Sequence, residues 1–303
     1  MRRPPPLHRG ARVALVSPAG PLGEADLQRA EDNARALGWD PVVGAHALAR
    51  CGYLAGSDEE RLHDLNAALA DDSIDGIWCL RGGYGAMRLL ERLDYAALRR
   101  RPKVLLGYSD ITALHAALST RAGVITFHGP TARAVLTPFS RRSLERALRG
   151  EESCGEAPDA TALVPGRARG RLAGGNLAVL CALCGTPFAP VLDGAIVVLE
   201  DVGEAVYRID RMLVQLRLAG LLTRCAGLVF GQFTEIPSGA VDERTARSAL
   251  DELLREAAEQ IGVPCMAGAP VGHTDDQWTL PLGQIAELDV DALTLRATHE
   301  GRE

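Results

Sequence analysis

Short apolar runs alternate with amphipathic stretches through the first half of the chain, and this rhythm predicts strands and helices in turn. Residues 12–17, 41–44, 74–80, 104–106 and 124–127 are apolar and read as strands. Between them, residues 25–37 place Leu27, Ala30, Ala34 and Leu37 on one helical face, and Gly38 stops that helix. Ser57 and Glu60 form a capping box that opens a helix running to about Leu69, with Leu62, Leu65 and Leu69 facing inward. Residues 87–93 form a short helix, a further helix starts at Asp110 and runs through Leu118, and residues 140–149 give one more. Strands and helices in strict alternation predict a doubly wound, mostly parallel sheet, whose ligands sit outside the carboxyl ends of the strands. Gly82, Gly83, Ser109 and His128 all fall at those ends.

The second half has a different texture. Residues 151–169 are rich in Gly, Pro, Glu and Arg with no sustained period, and they read as a linker between an N-terminal unit (1–150) and a C-terminal unit (170–303). Beyond it, residues 177–184 form an apolar helix and residues 195–199 a buried strand that ends in Glu200-Asp201. Residues 207–218 form a helix, 226–230 a strand, and 242–260 a charged amphipathic helix. A closing hairpin is expected from residues 284–290 and 292–296.

Length, composition and charge narrow the function classes. The 303 residues leave ample length for a core in each unit. With 47% apolar and 24% charged residues the chain is an ordinary globular one, and a net charge of -6 makes nucleic acid an unfavourable partner. No apolar run is long enough to span a bilayer, so no membrane partner is expected. The first ten residues lack the apolar stretch of a secretory signal, and the expected location is the cytoplasm. Seven cysteines without framework spacing read as reduced thiols. Cys181 and Cys184 lie in a continuous apolar helix pattern with no zinc-spaced partners, so they read as packing residues and no metal is implied.

Chemistry concentrates at the turn Gly107-Tyr-Ser-Asp110. A strand–Ser–helix junction holds a hydroxyl up at the end of a sheet beside the positive end of a helix. The competing reading is that Ser109 or Asp110 caps the helix. A nucleophile also needs a base, an orienting acid and oxyanion donors. Of seven histidines, His128 and His273 sit in Gly- or Pro-bounded loops after strands, and either could be solvated or structural instead. His8, His46, His63, His115 and His299 read as surface, packing or tail residues. The loop Arg81-Gly-Gly-Tyr-Gly85 offers backbone N–H groups that a ligand can approach closely, and the Asp110 N–H is a second donor. The same loop could cradle a phosphate, although it lacks the Lys-Ser/Thr of a Walker loop. Glu200, at the end of a buried strand, is the most distinctive acid; its alternative is an ion pair with Arg208 or Arg211.

Eight motifs in order, from Ser17-Pro-Ala-Gly20 through Arg81-Gly-Gly-Tyr-Gly85, Gly107-Tyr-Ser-Asp110, Phe127-His-Gly-Pro130, Gly174-Gly-Asn176, Leu199-Glu-Asp201 with Tyr207-Arg-Ile-Asp-Arg211, and Gly231-Gln-Phe233 to Gly272-His273, resemble the LD-carboxypeptidase family of serine peptidases, which includes the microcin-immunity peptidases. The resemblance implies a flavodoxin-like N-terminal domain and a largely β C-terminal domain with helices, with the site in the cleft between them. It implies a triad of Ser109, His273 and Glu200, oxyanion donors at Gly83 and Asp110, no cofactor, and a homodimer. Glu204, four residues beyond Glu200, is the rival acid and otherwise a substrate-binding group. Arg81 is the candidate for a terminal carboxylate, its alternative being a surface ion pair; Gly82, His128 and Asn176 join it as substrate-binding candidates. The implied reaction is release of terminal D-Ala from muropeptide tetrapeptides during cytoplasmic peptidoglycan recycling. The alternatives are a microcin-immunity-type cleavage of peptidyl or aminoacyl nucleotides and, in another class, a non-catalytic small-molecule binding protein. The absence of Trp, Tyr or Phe in residues 150–170 counts against purine stacking there.

Overall fold

A computed structural model describes residues 1–237, 239 and 242–297; His299 lies outside the described residues. The first half supplies strands β1 (Arg12–Val16), β2 (Asp40–Val43), β3 (Gly76–Cys79), β4 (Val104–Gly107) and β5 (Thr126–His128). Helices α1 (Glu24–Ala36), α2 (Asp58–Ala70), α3 (Tyr95–Arg100), α4 (Thr112–Ala122) and α5 (Pro138–Arg149) lie between and after them. The second half supplies β6 (Gly155–Glu156), β7 (Thr161–Val164), β8 (Arg167–Asn176), β9 (Ala195–Val202), β10 (Gly227–Thr234), β11 (Cys265–Ala267), β12 (Leu280–Leu282), β13 (Ile285–Asp289) and β14 (Thr294–Ala297). Its helices are α6 (Leu177–Leu183), α7 (Val206–Leu218) and α8 (Glu243–Ile261). No helix among the described residues is long and apolar enough to cross a membrane.

The first sheet runs β2-β1-β3-β4-β5 with all neighbours parallel, the flavodoxin-like order, and β12 adds antiparallel to β5. Because both faces are covered, β3 and β4 are buried at every position. Ile77, Leu105 and Leu114 pack with α2 and α4 on one face, while Leu15, Trp78, Leu106 and Phe127 pack with α1 and α5 on the other. The second sheet runs β6-β14-β13-β8-β9-β10-β11-β7, parallel from β8 to β11 and antiparallel at both margins. Val197, Leu199 and Phe230 meet Leu213 and Leu254 of its helices, and Val198, Val229 and Trp278 build the opposite core.

The capping box is present in full: the Ser57 hydroxyl accepts from the Glu60 N–H while the Glu60 carboxylate accepts from the Ser57 N–H. Three stretches differ from the sequence expectation. Residues 151–169 are not structureless, because β6 pairs with β14, β7 pairs with β11, and β8 already begins at Arg167. Strand β8 carries Arg167, Arg169, Arg171 and three glycines, so it shows no apolar alternation. Its glycines are there for room: a Cβ at Gly170 would stand 2.3 Å from the Gly194 carbonyl oxygen, and one at Gly174 only 1.9 Å from that of Val198. Residues 86–92 form a 3-10 helix, followed by α3, which has only two buried side chains to mark it. The short β12, though late in the chain, belongs to the first sheet and ties the two halves together.

Candidate active site

Strand β4 ends at Gly107, where a Cβ would lie 3.0 Å from Ile111 and 3.1 Å from Cys79, so the chain can fold back tightly. Ser109 then adopts φ 65, a left-handed conformation that is costly for a residue other than glycine and that lifts its side chain above the sheet. A 3-10 turn over Ser109–Ile111 leads into α4. Neither Ser109 nor Asp110 caps this helix with its side chain. The Asp110 carboxylate instead accepts the Ala86 N–H at 2.8 Å, tying the Ser109 turn to the glycine loop after β3.

The relay comes from three elements. His273 Nε2 lies 3.2 Å from Ser109 Oγ, and His273 Nδ1 lies 2.9 Å from Glu200 Oε2. Since the carboxylate can only accept, Nδ1 carries a proton and Nε2 of the neutral ring faces the serine hydroxyl as an acceptor. Glu200 is 0% exposed in β9, so its position is fixed by the sheet. Gly272 lets His273 approach: it has φ +112, and a Cβ there would stand 2.8 Å from both Glu200 Cβ and Oε2. The Tyr108 ring packs against the imidazole with centroids 4.8 Å apart. Glu204 does not reach the histidine; it pairs with Arg208 at 3.6 Å. Arg208 and Arg211 both lie over the Tyr207 ring rather than on Glu200.

The glycine loop lies directly against the serine. A Cβ on Gly82 would stand 2.8 Å from Ser109 Cβ and 3.1 Å from its Oγ. The Gly82 carbonyl accepts from Gly20 N–H at 3.0 Å, and a Cβ on Gly83 would meet Gly20 at 3.1 Å, so the loop after β1 backs it. Among the described residues no acceptor takes the Gly83 or Asp110 N–H, which leaves both available to an oxyanion. Arg81 donates to the Pro21 carbonyl at 2.6 Å, and among the described residues no carboxylate lies within ion-pair distance of it.

Sequence reasoning missed the residue that braces this loop. Arg61 on α2 is only 2% exposed, donates to the carbonyls of Pro18 at 2.5 Å and Gly85 at 2.9 Å, and pairs with Asp58. Its helical position with Leu65 and Ala68, one and two turns on, was the available signal for an inward-facing guanidinium. Burial pushes the Asp110 carboxyl up to about 6, against the pull of the Ala86 N–H and the Arg61 charge.

Two substrate-binding candidates sit elsewhere. His128 is 1% exposed behind Tyr108 and His115, and its burial, with the charges of His115 and His273 adding to it, drives its pKa far down. It is therefore a neutral core residue with no solvent-facing edge. Asn176 is 5% exposed; its Nδ2 donates to Asp201 at 2.8 Å and its Oδ1 accepts from Val179 N–H, capping α6. Its own N–H donates to Thr112 Oγ1 at 2.9 Å, joining the second sheet to the helix behind Ser109.

A buried carboxylate, an imidazole and a serine hydroxyl in sequence, on a strained turn flanked by free amides, have the geometry of a serine hydrolase. Residues 13–129 match the LD-carboxypeptidase N-terminal domain and residues 169–288 the LD-carboxypeptidase C-terminal domain. The chain belongs to the LD-carboxypeptidase family. It is 35% identical to the murein tetrapeptide carboxypeptidase of Pseudomonas aeruginosa, over 93% of this chain and 94% of that one. The solved structure of muramoyltetrapeptide carboxypeptidase from Oxalobacter formigenes superimposes with a TM-score of 0.83 at 30% identity, covering 94% of this chain and 97% of that one. An MccF-like protein from Bacillus anthracis shares the fold, with a TM-score of 0.86 at 24% identity over 99% of this chain and 100% of that one.

Proposed function

We propose that this protein is a serine carboxypeptidase that hydrolyses the amide between an L-centre and a terminal D-alanine in muropeptide tetrapeptides. The contact that carries this reading is Ser109 Oγ to His273 Nε2 at 3.2 Å, with Glu200 at 2.9 Å on the other nitrogen. In the reaction Ser109 attacks the scissile carbonyl and passes its proton to His273 Nε2. Glu200 orients the ring and stabilises the imidazolium, and the Gly83 and Asp110 amides bind the oxyanion, each worth roughly 3 kcal/mol in the transition state. His273 then gives its proton to the departing D-alanine amine, and water, deprotonated by the same histidine, releases the acyl group from Ser109. Arg81, fixed by one N–H to Pro21 and with donors to spare, binds the terminal carboxylate.

We place the reaction in cytoplasmic peptidoglycan recycling, with a homodimer as the working form and residues 1–150 and 170–303 as the two units that supply the nucleophile and the acid–base pair. The test is D-alanine release from the free tetrapeptide. Wild-type protein releases it and Ser109→Ala does not; full activity in the variant would sink the nucleophile assignment. An aminoacyl nucleotide in a parallel reaction, cleaved in preference to the tetrapeptide, would favour the microcin-immunity reading. Absence of labelling by a serine-directed phosphonate would favour a binding protein.

A further inference from the structure

The Gly231-Gln-Phe233 motif takes no part in the proposed reaction, yet it lies where β10 departs from regular pairing. Leu199 of β9 stands opposite Phe230, and Asp201 stands opposite Phe233, so Gly231 and Gln232 together face the single residue Glu200. This is a β-bulge in a parallel pair, where bulges are rare, and bulges re-aim side chains. The two phenylalanines show the effect. Residues three apart in a regular strand point to opposite faces, but these rings share one core with centroids 6.3 Å apart. The extra residue leaves Gln232 aimed at the segment that carries His273.

Gln232 holds that segment at three carbonyls. Its N–H donates to the Val271 oxygen at 2.8 Å, and its Nε2 donates to the oxygens of Gly268 at 2.8 Å and Ala269 at 3.3 Å. Gly231 leaves the room, since a Cβ there would stand 2.5 Å from the Val271 oxygen. One residue after Val271, Gly272 comes so close to Glu200 that a Cβ would stand 2.8 Å from its Oε2. His273 follows, with Glu200 on one ring nitrogen and Ser109 on the other. Both side-chain contacts of Gln232 are to oxygens that only accept, so a group with two N–H donors fits and a carboxylate would not.

We propose that Gln232 is a positioning residue for His273: by hanging the 268–273 loop from the bulge, it sets the imidazole at the height where Nε2 meets the Ser109 hydroxyl. This rests on the serine–histidine–glutamate relay of the proposed function, not on the choice of peptide. A shift of about 1 Å in such a contact costs on the order of 10²-fold in rate. The test is the rate at which a serine-directed fluorophosphonate labels the full-length protein, read beside D-alanine release from the tetrapeptide. Gln232→Met keeps the bulk without the donor, and Gln232→Asn keeps the amide but sets it back by about 1.5 Å. Both variants are expected to label about 30–100-fold more slowly at wild-type circular dichroism, with kcat for release falling in parallel and KM within about threefold. A purely structural role would lower Tm and leave labelling of the folded protein unchanged. Labelling within about threefold of wild type in a folded variant, or a loss carried by KM alone, would overturn the positioning role; if Gln232→Met does not fold, Gln232→Asn decides. A wild type that labels but releases no D-alanine sinks the tetrapeptide reading alone. Variants that label at the wild-type rate, beside a wild type that does release it, sink the role of Gln232 alone.

Discussion

Replacing Arg61 by Met tests whether the glycine loop proposed to bind the oxyanion is held from behind. The guanidinium is 2% exposed and is the donor to the Pro18 and Gly85 carbonyls as well as the partner of Asp58. Methionine fills much of the volume but donates nothing. Two buried carbonyls lose their donor at about 1–3 kcal/mol each, partly offset by no longer burying a charge, so a net loss of about 3 kcal/mol is expected. For a chain of this size that lowers Tm by roughly 5 °C. The larger effect falls on catalysis. Gly85 loses its clamp two residues from Gly83, and displacing one oxyanion donor costs about 10²–10³ in kcat. Tetrapeptide turnover should therefore fall about 100-fold with a much smaller change in KM, and Arg61→Lys, which keeps a charge but not the fork, should fall between. The Arg61 charge also favours ionised Asp110, so its loss moves that carboxyl further above about 6. Turnover within roughly threefold of wild type, in a protein that still shows the Tm drop, would refute the positioning role and leave Arg61 as a stability residue.

Other consequences can be checked directly. Glu200→Gln preserves shape but removes the charge that stabilises the imidazolium; kcat should fall by about 10³–10⁴ with KM little changed, and a loss below about tenfold would argue against Glu200 as the orienting acid. Asn176→Ala should cost about 1–3 kcal/mol in urea unfolding, through the lost cap of α6 and one donor fewer to the buried Asp201 carboxyl, with tetrapeptide KM unchanged; a KM effect without destabilisation would return Asn176 to the substrate. Asp110 has its pKa raised from 3.8 to about 6, so it contributes stability that is fully present below about pH 3.8 and lost as pH rises through about 6. Asp110→Asn removes this dependence: its stability relative to wild type should rise by about 3 kcal/mol between pH 3.5 and pH 7.5, and a flat difference across that range would contradict the burial argument.

The legible parts of the sequence were those where one local rule decides. The apolar run before Gly107, the Ser57–Glu60 box and the periodic faces of α1 and α7 each follow from spacing, and all form. Strand β8 was hidden because its residues answer to neighbours far along the chain: Gly170 makes room for Gly194, Gly174 for Val198, and Gly175 for Thr112. In the candidate site, Ser109, His273 and Glu200 could be named from the ordered motifs, and they come within hydrogen-bond distance. His128 and Asn176 stood in equally prominent motifs, yet one is enclosed and the other spends both polar ends inside the protein. A motif marks where the backbone is constrained; it does not say whether the side chain faces a ligand or the core. Arg61 shows the converse, a charged residue in no motif that is buried because the loops it holds have carbonyls to satisfy.

Dividing the relay between two sheets puts a demand on the seam that a single sheet would not face. Ser109 stands on the first sheet, Glu200 on the second, and His273 on the loop that leads back through β12 into the first. A serine–imidazole hydrogen bond weakens steeply if its partners move apart by an ångström or so, so the sheets must be registered more tightly than apolar contact alone ensures. The seam supplies that register with directional contacts placed close to the relay. In the pairing of β8 with β9, Asn176 stands opposite Glu200, and the Asn176 N–H reaches across to Thr112, three residues after Ser109. Gly175, at φ +133, has its missing Cβ 2.5 Å from Thr112 Oγ1, so any side chain there would push the sheet that carries Glu200 away from the helix that follows Ser109. The glycines before Asn176 therefore help set the distance that His273 spans between Ser109 and Glu200.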